Sequence, residues 1–426
     1  MNATYLTVIL FAFFIFIGVP ISASMFLGMM VSVFAFDTYP LATMATLFYR
    51  SLDNYILVAI PLFMLAGFAM TYGGMSRKIF DFSESLVGFL PGSLGSVNVV
   101  TSLIFGGMSG SSAADVGALG AIFIGEMKAG GYPLTYATAV TVAASTMAVI
   151  VPPSLLLIIY ATVAGLSVGT QLMAGLLPGI LVAVVLIGYN TVLGVKYKWK
   201  NTLPFRLSNI LRKAKFGFVA LITPVIIMGG IITGWFTPTE ASAVALFYAL
   251  LVGALLLREL DKKKFCELFY HGGRTCGIVA LELSAALLFS NLMTIDGIPQ
   301  VIVLFMHGLT TNRFLIMLLI NLVLLVAGGF LNPGFTIIVM TPLLLPLAQS
   351  IGVSPIHFGV IMATNLAIGL LLPPVGICLY LGSVVSGLKV ETLIRALMPF
   401  YVLLLACLAA IIFIPALSLR FVDAMK

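Results

Sequence analysis

Ser109, Ser111, Ser112 and Asp115 lie close together among Gly106, Gly107, Gly110, Gly117 and Gly120, in the run FGGMSGSSAADVGALG at residues 105–120. Glycine lets a chain turn tightly, and small hydroxyl, carboxylate and carbonyl oxygens turned into one cavity are ligands for a hard cation such as Na⁺. The serines have no neighbouring His or Lys base, so nucleophilic hydrolysis lacks an activating group. The run also lacks the lysine of a phosphate-binding P-loop. Close packing of helices through small residues is the competing use of such a stretch. Asp115 either holds an ion in a cavity or caps the helical turn that follows.

The chain that must position these groups has 426 residues, 61% hydrophobic and 8% charged, too little charge to coat a soluble globule of that size. It reads as a multi-span α-helical membrane protein. Apolar runs such as 4–19, 216–236 and 393–415 approach or exceed the roughly 20 residues that span a bilayer. The strict alternation of a barrel strand is missing. The first run lacks a basic start and a small-residue cleavage site, so it is expected to be the first span and not a removed signal. Cys266, Cys276, Cys378 and Cys407 show neither metal spacing nor a disulfide framework. The net charge of +7 sits in loops between spans, which points to retention at one membrane face and away from nucleic acid.

In order, spans are expected at 4–19, 21–36 and 55–72, followed by an interfacial amphipathic arm in SRKIFDFSESLVGFLPG. Two half-length apolar pieces, 94–105 and 116–127, flank the glycine-serine run and predict a re-entrant hairpin tipped by GMSGSS, since uncapped backbone survives at membrane depth only under protein or beside water. Residues 133–165 could cross but are interrupted by Pro152 and Pro153, which predicts a discontinuous helix. A crossing at 170–195 completes the half.

The plan then repeats. Gly106 and Gly107 match Gly328 and Gly329 at an offset of 222, Pro152 and Pro153 match Pro373 and Pro374 at 221, and Pro133 matches Pro355 at 222. The units are residues 1–200, a basic linker at 201–215, and residues 216–426. Five crossings per half is an odd number, so the second copy is inverted. Placing the basic linker in the cytoplasm puts 17 of the 21 Lys and Arg inside and leaves Arg50, Arg313, Arg420 and Lys426 outside. That split supports ten crossings with both termini outside.

Inverted repeats with paired hairpins and paired helix breaks are the architecture of a secondary transporter binding near the midplane. One Na⁺ site is expected from Ser109, Ser111, Ser112 and Asp115 with Ser145, Thr146 and Pro152. Its counterpart is expected from Gly328, Asn332, Thr336, Thr341, Asn365, Gly369 and Pro373. Half-helix N-termini after each Pro-Pro pair favour an anion, which makes Pro153, Ser154, Asn332, Pro333, Thr364 and Pro374 substrate candidates. Glu282 is either a proton relay or a carboxylate bonded to a neighbouring span. His307 and His357 read as interfacial histidines on the outer face. No catalytic constellation is visible, and a membrane enzyme is disfavoured.

Through GGMSGSSAADVGALG, TVAASTMAVIVPPSLLLIIYATVAG, GWFTPTEASAVA and SPIHFGVIMATNLAIGLLLPPVGICL, the chain resembles the large membrane subunit of the TRAP (tripartite ATP-independent periplasmic) transporters, elevator carriers of the ion-transporter superfamily. The resemblance implies Na⁺-driven uptake, across a bacterial inner membrane, of a small carboxylate of the sialic acid or C4-dicarboxylate type. It also implies delivery by a soluble periplasmic binding protein and a separate small four-helix membrane subunit. Ser167 and Glu240 would be docking candidates for the binding protein. Many relatives carry an acidic residue at the position of Asn332 and a threonine at that of Leu372. A stand-alone Na⁺/dicarboxylate symporter and an ion channel are the alternatives.

Overall fold

The computed structural model describes residues 3–36, 40–53, 55, 58–199, 201–202 and 207–423. Among them every regular element is helical. The first half runs α1 (Ala3–Phe16), α2 (Ile21–Phe36), α3 (Leu41–Leu52), α4 (Ala59–Tyr72), α5 (Met75–Val87), α6 (Ser93–Ser109), α7 (Ser112–Ala129), α8 (Leu134–Ala144), α9 (Leu155–Val163), α10 (Val168–Ala174) and α11 (Leu176–Tyr197). The second runs α12 (Leu207–Ile232), α13 (Pro238–Leu251), α14 (Lys262–Ile295), α15 (Ile298–Leu309), α16 (Arg313–Phe330), α17 (Pro333–Ser350), α18 (Pro355–Gly369), α19 (Ile377–Ser386), α20 (Val390–Phe413) and α21 (Ala416–Asp423). Helix α12 thus begins inside the stretch 201–215.

The 222-residue offset holds element by element: it carries α5 onto α15, the α6–α7 pair onto α16–α17, and α9 onto α19. Each break holds a Pro-Pro pair, joined by a cis peptide bond in both copies. The offset also joins α3 and α4 onto the single helix α14. The first copy reads DNYILV where α14 continues through TCGIVA, and Asp and Asn compete with the helical backbone for hydrogen bonds. Helix α3, with one apolar face, was not anticipated, and the span expected at 55–72 begins at Ala59.

Among the described residues, six segments are long and apolar enough to cross a membrane singly. Shorter apolar helices, among them α1 and α2, and the broken pairs α8–α9 and α18–α19 make up the other expected crossings. Two of the six, α16 and α17, qualify by length and composition, but their ends argue against their being crossings. At the base of the first hairpin, Ser93 Oγ accepts from the linker amide of Thr202 (3.0 Å), while Tyr132, after α7, packs on Trp199 at 4.3 Å between ring centroids. The base of the second hairpin lies at the opposite end, where the Tyr160 hydroxyl donates to the Pro355 carbonyl (2.6 Å) and Gln171 to that of Ile356 (3.1 Å). The two hairpins therefore enter from opposite ends.

The arm helix α5 turns 75° away from α4 and is tied to α12 by the Lys213–Glu84 pair at 2.8 Å. Helices α4 and α14 cross each other, with α13 packed on α4 and α2 on α14, a reciprocal arrangement that the repeat requires. The crossing expected at 170–195 is divided at Gly175, where a Cβ would stand 2.6 Å from Leu157 Cδ1.

Candidate functional site

The glycine-serine run is far less broken than its composition suggests. Helix α6 continues through Gly106, Gly107 and Ser109, so the hairpin arms are longer than 94–105 and 116–127. The interruption is confined to Gly110 (φ 61°) and the extended Ser111. The other glycines serve contact. A Cβ on Gly106 would lie 2.5 Å from Ala148 Cα, and one on Gly107 would lie 2.9 Å from the Pro152 carbonyl oxygen. Hairpin 1 is thus seated on the break of its own broken helix. Hairpin 2 repeats the arrangement: a Cβ on Gly369 would lie 2.6 Å from the Gly328 carbonyl carbon, and the Gly329 carbonyl accepts from the Val375 amide (3.1 Å).

Ser111 caps α7 through Ala114 N (3.4 Å), so Asp115 is not needed as the cap. Its side chain is 0% exposed, and neither carboxylate oxygen has a hydrogen-bond partner. Ser102, whose hydroxyl also has no hydrogen-bond partner, and Cys378 are its neighbours. The Ser112 hydroxyl is likewise buried and unpartnered. Ser145 and Thr146 donate their hydroxyl protons to the carbonyls of Val142 (2.8 Å) and Ala143 (2.7 Å), which leaves oxygen lone pairs as acceptors. These buried oxygens with unused acceptor capacity suit a hard cation. No group of three or more His, Cys, Asp or Glu stands ready for a transition metal among the described residues.

In the second copy, Asn332 Oδ1 accepts from Gly334 N (3.0 Å) to cap α17, and Thr336 Oγ1 donates to the Asn332 carbonyl (2.9 Å). Thr341 donates to the Ile337 carbonyl (2.6 Å). Asn365 Nδ2 donates to Asn321 Oδ1 (2.8 Å), while Asn365 Oδ1 and the Thr364 hydroxyl are buried without partners. Sequence reading missed a similar contact between the corresponding helices of the first copy, Asn98 Nδ2 to Thr141 Oγ1 at 2.6 Å. The one amide side chain among the small hydroxyls of α6 was the available signal. Glu282 Oε2 accepts from Asn332 Nδ2 (3.2 Å), which places it against a hairpin tip as a bonded carboxylate.

Both tips share one cavity of about 140 Å³, lined by Gly110, Ser111, Ser112, Asn332, Pro333 and Gly334, with Leu155, Leu156 and Ile377 beside them. Those residues are the first turns, or caps, of α7, α17, α9 and α19. Four helix N-termini therefore converge, each equivalent to roughly half a positive charge. Ser154 caps α9 through Leu157 N (3.3 Å), and its hydroxyl donates to the Val149 carbonyl (2.5 Å). Helix α19 begins at Gly376 with no side-chain cap. The Pro153 carbonyl lies at Gly110, those of Pro373 and Leu372 lie at Gly329, and that of Pro374 accepts from the Tyr380 hydroxyl (2.9 Å). Ile60 and Met64 of α4 and Val279 of α14 close the cavity opposite the tips.

One expectation changes. His357 is buried in the first turn of α18, not interfacial, while His307 is part-exposed with Nε2 2.9 Å from Ser350 Oγ. Ser167 and Glu240 do not line the cavity, and both are exposed at helix starts. Glu240 completes a capping box with Thr237, whose Oγ1 accepts from Glu240 N (3.2 Å) and whose N donates to Glu240 Oε2 (2.8 Å). Thr237→Ala is expected to destabilise the chain by about 1 kcal/mol, read as a lower midpoint of thermal unfolding in detergent.

Comparison with known proteins agrees with this architecture. The family described as "Tripartite ATP-independent periplasmic transporter, DctM component" matches residues 8–417. The C4-dicarboxylate TRAP transporter large permease protein of Pseudomonas aeruginosa is 34% identical over 91% of this chain and 91% of its own length. The sialic acid TRAP transporter large permease protein of Vibrio cholerae is 35% identical over 95% of each. The isethionate TRAP transporter permease protein DctMQ of Oleidesulfovibrio alaskensis is 36% identical over 96% of this chain, which spans only 65% of that longer relative. The crystal structure of the Alcanivorax borkumensis YdaH transporter has the same fold, with a TM-score of 0.58 at 15% identity over 87% of this chain and 86% of that one.

Proposed function

Because the chain belongs to the DctM component family of the tripartite ATP-independent periplasmic transporters, we propose that it carries a small organic acid across a bacterial inner membrane, driven by inward movement of Na⁺. The observation that carries this reading is the convergence of four helix N-termini on the cavity between the hairpin tips. A carboxylate there meets backbone N–H groups and positive dipole ends without a fixed cation. Na⁺ is a co-substrate, held beside the acid by Ser112, Asp115, Ser145 and Thr146 in one copy and by Thr364, Asn365 and the carbonyls near Gly328 and Pro373 in the other. Two or more Na⁺ with one monoanion make uptake electrogenic, at roughly 2.3 kcal/mol per net charge per 100 mV.

The linker end is cytoplasmic, as the distribution of basic residues indicates. A cleft of about 400 Å³, lined by Gly67, Thr71, Tyr72, Ser109, Ser111 and Thr275, lies at that end and shares Met64, Ser111 and Ala113 with the cavity. At the opposite end the Glu282–Asn332 bond joins α14 to the tip of hairpin 2. This arrangement is a cytoplasm-facing state. The hairpins and broken helices form the moving unit of an elevator, with α1, α2, α4 and α12–α14 as scaffold. A small four-helix membrane subunit and a soluble periplasmic binding protein complete the system. Relatives named for C4-dicarboxylates, sialic acid and isethionate support a small organic acid as the substrate.

The test is uptake of labelled succinate and N-acetylneuraminate into proteoliposomes holding the chain with its two partners. Uptake is expected to require an inward Na⁺ gradient, and equal uptake with and without that gradient would falsify the coupling.

A further inference from the structure

The cytoplasmic cleft has a counterpart at the other end of the molecule. It is a space of about 430 Å³ between α3, α9, α14 and α17, with Arg50, Thr162, Ser290, Asn291 and Thr294 in its wall. Adding 222 to Phe68 and Tyr72, which line the cytoplasmic cleft, gives Ser290 and Thr294, so the two spaces are related by the repeat. The same step carries Ile60, in the cavity wall, onto Glu282. An inverted-repeat carrier exchanges the environments of its two copies when it changes state. The outer space is therefore the approach to the cavity once the Glu282–Asn332 contact has opened.

The two approaches differ in chemistry. Hydroxyls are the polar side chains of the cytoplasmic one, and no basic residue lines it. Arg50 points the outer one toward anions: it is exposed and has no ion-pair partner among the described residues. Retention at the cytoplasmic face does not explain an arginine on the outer side, where basic residues are scarce. A guanidinium offers a planar fork that matches a carboxylate.

We propose that Arg50 is the first binding group for the incoming organic acid, in an outer anteroom that precedes the cavity between the hairpin tips. The proposal rests on the uptake reading above. It adds a substrate subsite centred on α3, away from the hairpin tips.

Initial rates of succinate and N-acetylneuraminate uptake would be measured in proteoliposomes of the full complex for the wild type, Arg50→Gln and Arg50→Lys. For whichever acid the wild type carries, Arg50→Gln is expected to raise KM about tenfold with maximal velocity within twofold, and Arg50→Lys to recover most of the loss. Capture of the binding protein by the Arg50→Gln chain is expected to match the wild type. An unchanged KM overturns the proposal. So does weaker capture of the binding protein, which would make Arg50 a docking residue. So does a fall in maximal velocity alone that depends on anionic lipid, which would make it a membrane anchor. A wild-type complex that carries neither acid contradicts the uptake reading itself, a result distinct from all of these.

Discussion

Asp115→Asn is expected to remove the first site's share of the stabilisation of the protein by Na⁺ and to lower Na⁺-dependent uptake by about a hundredfold or more. Removing one partner of a buried charge pair costs about 3–5 kcal/mol, which is roughly two to nearly four decades in affinity. Asp115 is fully buried, and both of its carboxylate oxygens lack a protein partner. A charge in that position is costly unless something neutralises it, and a bound cation does so. The two proteins should therefore differ in opposite senses under two conditions. Without Na⁺, the asparagine variant should be at least as stable as the wild type, because it buries no charge. As Na⁺ rises to about a hundred times its dissociation constant, the wild type should gain roughly 2.7 kcal/mol from each site, while the variant gains only the second site's contribution. Thermal unfolding in detergent across a Na⁺ titration, with choline as the replacing cation, reads both arms. Equal Na⁺-induced shifts in the two proteins would remove Asp115 from the ion site.

The repeat was legible because glycine and proline leave marks at fixed places. Gly106-Gly107 and Gly328-Gly329 are close-contact positions, and each Pro-Pro pair ends a half-helix, so the offset survives in sequence. The extent of the helices was less legible. Composition made residues 105–120 look broken throughout, yet in α6 the packing of Gly106 on Ala148 and of Gly107 on Pro152 keeps the backbone helical to Ser109. Tertiary contact outweighs local propensity there. Asp115, Asn332 and Asn365 could be singled out as polar groups in apolar surroundings. What sequence could not supply was the pairing: Asn332 with Glu282 is separated by 50 residues and Asn365 with Asn321 by 44, and neither spacing is a helical one. The convergence of α7, α9, α17 and α19 on one cavity was partly visible. The Pro-Pro rule pointed to α9 and α19, and Asn332 and Pro333 at the start of α17 were read toward the substrate, but the first turn of α7 was read only as cation ligands although it lines the same space.

The second large effect is expected from Gly369→Val, with Gly106→Val as its counterpart in the first copy. At Gly369 an added Cβ would stand 2.6 Å from the carbonyl carbon and 2.7 Å from the Cα of Gly328, both backbone atoms. At Gly106 it would stand 2.5 Å from Ala148 Cα. No rotamer relieves a clash with backbone, so α16 must separate from α18, or α6 from the turn at Ser145–Val149. Overpacking of this kind costs about 3 kcal/mol, at the upper end of the usual range. The separation also displaces the carbonyls of Leu372 and Pro373, or of Pro152, from the hairpin backbone they border. Uptake is therefore expected to fall below detection even where protein remains in the membrane. The control is Gly125→Ala on the exposed face of α7, where nothing lies within 4 Å and helix propensity should add up to about 1 kcal/mol. If Gly369→Val carried substrate at the wild-type rate, hairpin 2 could not be seated on its broken helix, and the second ion site, built from that contact, would fall with it.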